Sequence, residues 1–217
     1  MTCTAPCWLL GLVLMVFHSV VLNAQQPFRH PSKRNSFTSP DGEFRFEYPD
    51  SLVQCQKDAN QSDMWRPDES CEAFTPVCSD VSCNSAGTVA CVAYPAHHIK
   101  KGTNFQAAAF SVTPLKEATT ETECLKVVEP PPHVGESRNE IVNGVKFKVT
   151  EIDGVATGNL IDGYVYRSFH RNKCYELDIR IAFSNPAYAD PGTMKNFDFE
   201  AVHRRLQSVL HTFEFTK

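Results

Sequence analysis

The chain has no basic residue before Arg29 and no acidic residue before Glu43. Within this uncharged stretch, an apolar run from Trp8 to Val21 is too short to span a membrane comfortably. The run is followed by Leu22-Asn23-Ala24, which has the form of a small-residue cleavage site. We therefore expect residues 1–24 to be a signal peptide. We expect the mature protein to be secreted or periplasmic, with no stable membrane span.

An excess of basic residues is also missing, since 21 bases face 25 acids and the formal net charge is −4. Proteins that bind nucleic acid present a basic surface, so we expect no nucleic-acid partner. Arg29, Lys33 and Arg34 are typical of a solvated linker, which we assign to residues 25–35. The remaining residues, 36–217, have the length of one domain, and 42% apolar residues in the chain suffice for a core.

Motifs that mark common catalytic or metal sites do not occur in the sequence. It contains no Gly-x-Ser-x-Gly, no His-Glu-x-x-His, no glycine-rich phosphate loop and no EF-hand pattern. The spacings between Cys71, Cys78, Cys83 and Cys91 differ from those of paired zinc ligands. We therefore predict a protein that is not an enzyme and that holds no metal or cofactor.

Cysteine, by contrast, is abundant, with nine residues in the chain. Of nine cysteines, Cys3 and Cys7 precede the expected cleavage point, so seven remain and at most three bridges form within the chain. Of these seven, Cys124 and Cys174 are the only two outside the crowded region from Cys55 to Cys91. We predict a disulfide between Cys124 and Cys174, with two further bridges among the other five cysteines and one cysteine left over. The alternative is that both are buried free thiols.

Extended segments dominate the chain. Ser39-Pro40-Asp41-Gly42 is a turn between Ser36-Phe37-Thr38 and a strand from Glu43 to Tyr48, in which apolar and polar residues alternate. Residues 50–85 form an irregular, disulfide-tied excursion with one short strand near 72–78. Further strands are predicted over 88–94 and 105–112. Three more follow in an antiparallel meander, over 145–152, 159–170 and 175–183.

Two helices complete the pattern. Thr120 and Glu123 have the spacing of a capping box, which predicts a short helix over 121–128. Asp198 caps a longer helix whose apolar stripe recurs at helical spacing and comprises Phe199, Val202, Leu206, Val209, Leu210 and Phe213. Because the chain has no second long helix, this stripe has to lie on the sheet. The predicted fold class is α+β, an antiparallel sheet with packed helices, reinforced by disulfides.

The two ends of this pattern resemble PsbP-like domains. The opening hairpin from Phe37 to Leu52, with its Tyr48-Pro49, is similar to the start of that family. The ending, Val202–Leu210 followed by Thr212-Phe213-Glu214-Phe215, is similar to its close. The resemblance implies an α/β/α sandwich and an exported bacterial-type member of unknown function. It does not imply an activity, because the family has no single one.

Several side-chain groups invite a more specific function. His97-His98 suggests a metal site or a surface loop, and His170 with Cys174 suggests a thiol–imidazole pair. Four carboxylates suggest a glycosidase, although nothing in the sequence pairs them; they are Glu140, Glu151, Asp153 and Asp162. The aromatic residues Tyr164, Tyr166, Phe169 and Tyr175 suggest either a binding patch or core packing, of which we favour the latter.

Taken together, these observations predict an exported, non-enzymatic binding or accessory protein. Its partner would be a protein or a small-molecule ligand of unknown identity. The alternative is a small exported hydrolase or a thiol-active enzyme.

Overall fold

The computed structural model describes residues 33–57, 65–66, 87–95, 99, 101–126, 133–156, 158–190 and 192–216. These residues belong to one compact unit that spans 32–217. The expected signal peptide, the strand near 72–78 and His97-His98 lie outside the described residues. The first strand begins at Arg34, within the last two residues of the expected linker.

Seven strands form the main sheet, and all neighbouring strands in it are antiparallel. They are β3 (Val53–Gln54), β6 (Ala90–Ala93), β7 (Phe105–Leu115), β8 (His133–Val142), β9 (Val145–Ala156), β10 (Asn159–His170) and β11 (Lys173–Ser184). Their order across the sheet is β3-β6-β7-β11-β10-β9-β8. Two short strands, β4 (Gln56–Lys57) and β5 (Trp65–Arg66), pair separately. The predicted meander of β9, β10 and β11 is confirmed.

The opening hairpin is also confirmed, but it stands outside the main sheet. Its strands β1 (Arg34–Thr38) and β2 (Phe44–Pro49) are antiparallel, with Phe37 opposite Phe46. A short last strand, β12 (Glu214–Phe215), adds to β2 and completes a three-stranded sheet. The first and last strands of the described residues therefore belong to one small sheet.

The final helix, α2 (Phe199–Leu210), begins after Asp198, whose side chain accepts a hydrogen bond from the Ala201 amide. It packs against β2, β7 and β11, and Leu206 is fully buried, as the stripe predicts. Phe213 is buried too, but it lies beyond the end of the helix. Arg205, which is not part of the stripe, is partly buried.

The core lies between α2, the small sheet and one face of the main sheet. On β11 this near face carries Tyr175, Leu177, Ile179 and Ile181, all at most 2% exposed. The opposite, far face of β11 carries Cys174, Glu176, Asp178 and Arg180, because successive side chains alternate. The short helix α1 (Glu121–Cys124) lies on this far face, because its Cys124 forms a disulfide with Cys174. The sheet therefore has α2 on its near face and α1 on its far face.

Helix α1 has the predicted capping box, in which Thr120 and Glu123 bond each other's backbone amides. It ends at Cys124, however, four residues before the predicted end. So short a helix has little intrinsic stability, and here the cap and the bond from Cys124 hold it. The sulfur atoms of Cys124 and Cys174 are 2.04 Å apart, as a disulfide, and their Cα atoms are 5.4 Å apart. Cys55 and Cys91 are each in a disulfide bond as well.

Candidate functional site

Two hairpins dominate one half of the main sheet, and each is closed by a two-residue turn. Asn143 and Gly144 join β8 to β9 with φ of 48° and 80°. Arg171 and Asn172 join β10 to β11 with φ of 49° and 61°. Such turns match the twist of the strands and keep each hairpin paired up to its tip. Strand β8 was missed by the sequence analysis, although Asn143-Gly144 is the signal that would have revealed its hairpin.

The two hairpins separate near their tips. The β9–β10 ladder begins at Ala156 opposite Asn159 and ends at Lys148 opposite Arg167. Beyond that pair, the first three residues of β9 pair only with β8, and the last three of β10 pair only with β11. A wedge-shaped cleft, hereafter the wedge, therefore opens between residues 145–147 and residues 168–170.

The register defines which backbone groups face the wedge. Residues that flank a two-residue turn form a hydrogen-bonded pair, and the direction of the backbone groups then alternates along each strand. This alternation directs the N–H and C=O groups of Lys146 and Phe169 away from their own hairpins and towards each other. The two residues would form the next hydrogen-bonded pair of the ladder, two positions beyond Lys148–Arg167, but the ladder stops before them.

The wedge has a volume of about 660 Å³, within the usual range for ligand sites. Its lining combines aromatic rings with polar side chains. Phe147 is 2% exposed, whereas Phe169, His170 and Phe215 are partly exposed. The His170 and Phe215 rings are stacked, with centroids 4.0 Å apart and planes inclined by 2°. The wedge thus offers apolar surface beside hydrogen-bonding groups.

Charge in the wedge comes from two lysines and two glutamates. Lys146 and Lys148 line it together with Glu121 and Glu214. Glu214 is ion-paired with Arg45 on the neighbouring strand β2. No ion pair of either lysine occurs within the part of the chain that the structure describes. Because Arg45 neutralises Glu214, the two lysines and Glu121 leave the lining of the wedge with one net positive charge.

The thiol–imidazole interpretation of His170 and Cys174 is wrong in this structure. Cys174 is bonded to Cys124 and so has no thiolate to act as a nucleophile. All four described cysteines are in disulfides. His170 lies opposite Lys173 at the tip of its hairpin and stacks on Phe215 instead.

The carboxylates that appeared scattered in the sequence come together in part. Asp162 lies directly opposite Asp153, and Glu151 lies opposite the next residue on the same face, Tyr164. Burial raises the pKa of Asp162, and the charges of Glu151 and Asp153 raise it further. Glu140 lies apart from this cluster and is ion-paired with Arg138. Contrary to the expectation from the sequence, three of the four carboxylates therefore lie close together, because β9 and β10 are neighbours.

Near this carboxylate cluster, His203 of α2 lies between aromatic rings. Its ring stacks on Tyr164 at 5.1 Å and lies 5.9 Å from Phe199. His203 is 9% exposed, and burial lowers the pKa of its imidazole. The sequence pattern did not predict a role for His203, although this residue falls on the apolar stripe of the helix. Among the described residues, no group of three or more His, Cys, Asp or Glu side chains is arranged to hold a metal ion.

The aromatic residues of β10 and β11 mostly pack in the core, as we expected. Tyr166 and Tyr175 are at most 2% exposed, and burial raises the pKa of Tyr166 to about 12. Tyr164 is partly buried beneath Arg138, whose guanidinium carbon is 5.5 Å from the ring centroid. Phe169 alone is on the far face and lines the wedge.

No protein-family model matches the chain, and no curated protein matches it. Solved structures that resemble it include a solution structure of cyanobacterial PsbP (CyanoP) from Synechocystis sp. PCC 6803. That likeness has 10% identity and a TM-score of 0.44 over 89% of this chain and 98% of the other. A crystal structure from Bacteroides thetaiotaomicron VPI-5482 has 11% identity and a TM-score of 0.45, over 84% of this chain and 48% of that one. This chain thus spans about half the length of the Bacteroides chain. At these values neither likeness carries an argument about function.

Proposed function

We propose that this protein is an exported, non-enzymatic binding protein that holds its ligand in the wedge. The observation that carries this proposal is the interruption of the β9–β10 ladder at Lys148–Arg167. It leaves an open cleft whose strand edges, rings and lysines suit binding. Backbone groups at a strand edge need partners, and a ligand in the cleft would supply them.

Export is supported by the oxidised cysteines, because disulfides persist in secreted and periplasmic compartments. Within the ranges that the structure describes, no helix is long and apolar enough to cross a membrane. We further propose that the chain is a PsbP-like protein. The opening hairpin that ends at Tyr48-Pro49 and the final helix followed by β12 support this assignment.

The test is capture of partners by the exported protein, with mass spectrometry of what it retains. Three forms are compared: the wild type, the double variant Lys146→Glu/Lys148→Glu, and Lys101→Glu as a matched control. Lys101 is exposed and does not line the wedge. We expect the wild type and the control to retain the same ligand and the double variant to lose it. Equal retention by all three forms would place binding outside the wedge and overturn the proposal.

The alternative is a small exported hydrolase, which the carboxylate cluster favours. A carboxyl group whose pKa is raised by burial and by neighbouring charges is suited to act as a general acid, and Asp162 has this environment. A panel of chromogenic glycoside and ester substrates distinguishes the two functions. Turnover that the wild type shows and Asp162→Asn loses would support the hydrolase.

The thiol-active alternative requires a reduced cysteine and is tested by alkylation without reductant.

A further inference from the structure

We infer that the occupant of the wedge is the carboxyl-terminal end of an extended polypeptide, an inference that rests on the proposed binding role of the wedge. The β9–β10 ladder lacks the pair that Lys146 and Phe169 would form. The backbone groups of Lys146 and Phe169 face the gap without pairing each other. An extended chain placed between them offers N–H and C=O groups to both edges, as in strand addition to a sheet.

The shape of the wedge favours a chain end over a passing segment. Its narrow end is closed by the hydrogen-bonded pair Lys148–Arg167, so a strand that runs between the hairpins has to stop there. The open part is three residues deep on each side. At about 3.3 Å per extended residue, it accommodates about the last three residues of a chain.

Charge determines which chain end fits. A carboxylate at the narrow end lies between two residues that line the wedge and carry positive charge, Lys146 and Lys148, neither of which is ion-paired within the described ranges. An amino terminus in the same position would bring a third positive charge to this place. A chain that enters with its carboxyl end first runs parallel to β9 and antiparallel to β10.

The residues that line the wedge on each face of the sheet indicate which side chains the occupant can carry. Leu125 and Phe169 line the wedge on the far face, whereas Phe147 and Phe215 line it on the near face. Successive side chains of an extended segment point to opposite faces. Each of the last residues of the occupant can therefore be apolar and still contact a ring or an aliphatic side chain.

The experiment uses the mature protein and a pool of hexapeptides that are randomised at their last four positions. Peptides retained by the immobilised protein are identified by mass spectrometry and resynthesised with a free carboxylate or a carboxamide. We expect the carboxylate form to bind about tenfold or more tightly than the amide, which corresponds to about 1.4 kcal/mol. We also expect Lys146→Glu/Lys148→Glu to remove this preference and Lys101→Glu to keep it.

Backbone amide NMR signals of Lys146 and Phe169 report the position of the peptide. The inference is supported if the carboxylate peptide shifts both signals. Equal affinity for the two forms, or no retained peptide, overturns it. If a small-molecule extract of the growth medium then shifts the two signals, the wedge binds a ligand of another class and the proposed function stands. If neither peptides nor the extract shift them, the proposed function fails as well.

Discussion

The carboxylate of Glu43 accepts a hydrogen bond from the hydroxyl of Tyr175, which lies 132 residues later in the chain. Lys173 donates to the same carboxylate over 2.5 Å. The two bonds join the turn of the opening hairpin to β11 at the centre of the main sheet. They lower the pKa of Glu43, the bond from Lys173 most and that from Tyr175 next.

Replacing Tyr175 by Phe is expected to lower the free energy of unfolding by about 1 kcal/mol at neutral pH, the usual net value of one hydrogen bond. Because the folded-state pKa of Glu43 is lowered, the stabilisation is present above its unfolded value of 4.5 and is lost as the pH falls through the folded pKa. Urea titrations at neutral pH and at a pH low enough to protonate Glu43 in the folded state test this. Tyr188→Phe is the control, since Tyr188 is 78% exposed. An equal loss at both pH values would contradict the role of the Glu43 carboxylate.

Leu206→Ala in α2 is expected to cost roughly 2–5 kcal/mol of unfolding free energy, the range for truncation of a core leucine. Leu206 is 0% exposed and packs in the main core. Arg204→Ala, two residues away on the exposed side of the helix, should cost about 0.5 kcal/mol or less. The two variants are compared by urea titration. Equal losses would mean that the helix does not bury this stripe.

The bond between Cys124 and Cys174 closes a loop with a sequence separation of 50. In the chain-entropy model, loss of a bridge over such a loop costs roughly 4 kcal/mol. We expect the double variant Cys124→Ala/Cys174→Ala to lose about this much in thermal or urea unfolding. Non-reducing peptide mapping tests the pairing itself. Alkylation of both cysteines without reductant, or linkage of either one to the cysteines between Cys55 and Cys91, would refute it.

Asp162→Asn is expected to stabilise the fold by about 0.5–1 kcal/mol at neutral pH, since like charges directly opposite each other in a sheet destabilise it. The folded-state pKa of Asp162 is raised above its ordinary 3.8, first by burial. The folded state therefore binds more protons, and stability falls as the pH rises from 3.8 to the folded pKa. The gain from Asn should accordingly vanish below pH 3.8. A gain that persists in acid would point to a cause other than charge.

The mature amino terminus is expected near Gln25, because the apolar run from Trp8 and the small residue Ala24 form a signal-peptide pattern. N-terminal sequencing of secreted protein checks this directly. Recovery of a chain that still begins at Met1 from the cytoplasm would exclude export by this segment.

Local patterns were sufficient to predict most of the elements. The alternation of Phe44, Phe46 and Tyr48 with charged residues, the cap at Asp198 and the stripe through Leu206 depend only on near neighbours in the chain. The fold class followed from them, because an amphipathic helix without a partner helix has to cover a sheet. The start of β8 gives no comparably clear alternation, and this strand was missed.

The tertiary structure alone decided how these elements meet. The pairing of β7 with β11 places Cys174 opposite Leu115. Because α1 follows shortly after Leu115, the bridge between Cys174 and Cys124 depends on this pairing. The same kind of pairing brings Asp162 opposite Asp153 and leaves Lys146 and Phe169 unpaired with each other. The sequence determined the alternation of buried and exposed residues along each strand, because that pattern is local. The position at which one hairpin separates from the next depends on twist and packing over the whole sheet. No local sequence pattern encodes this position.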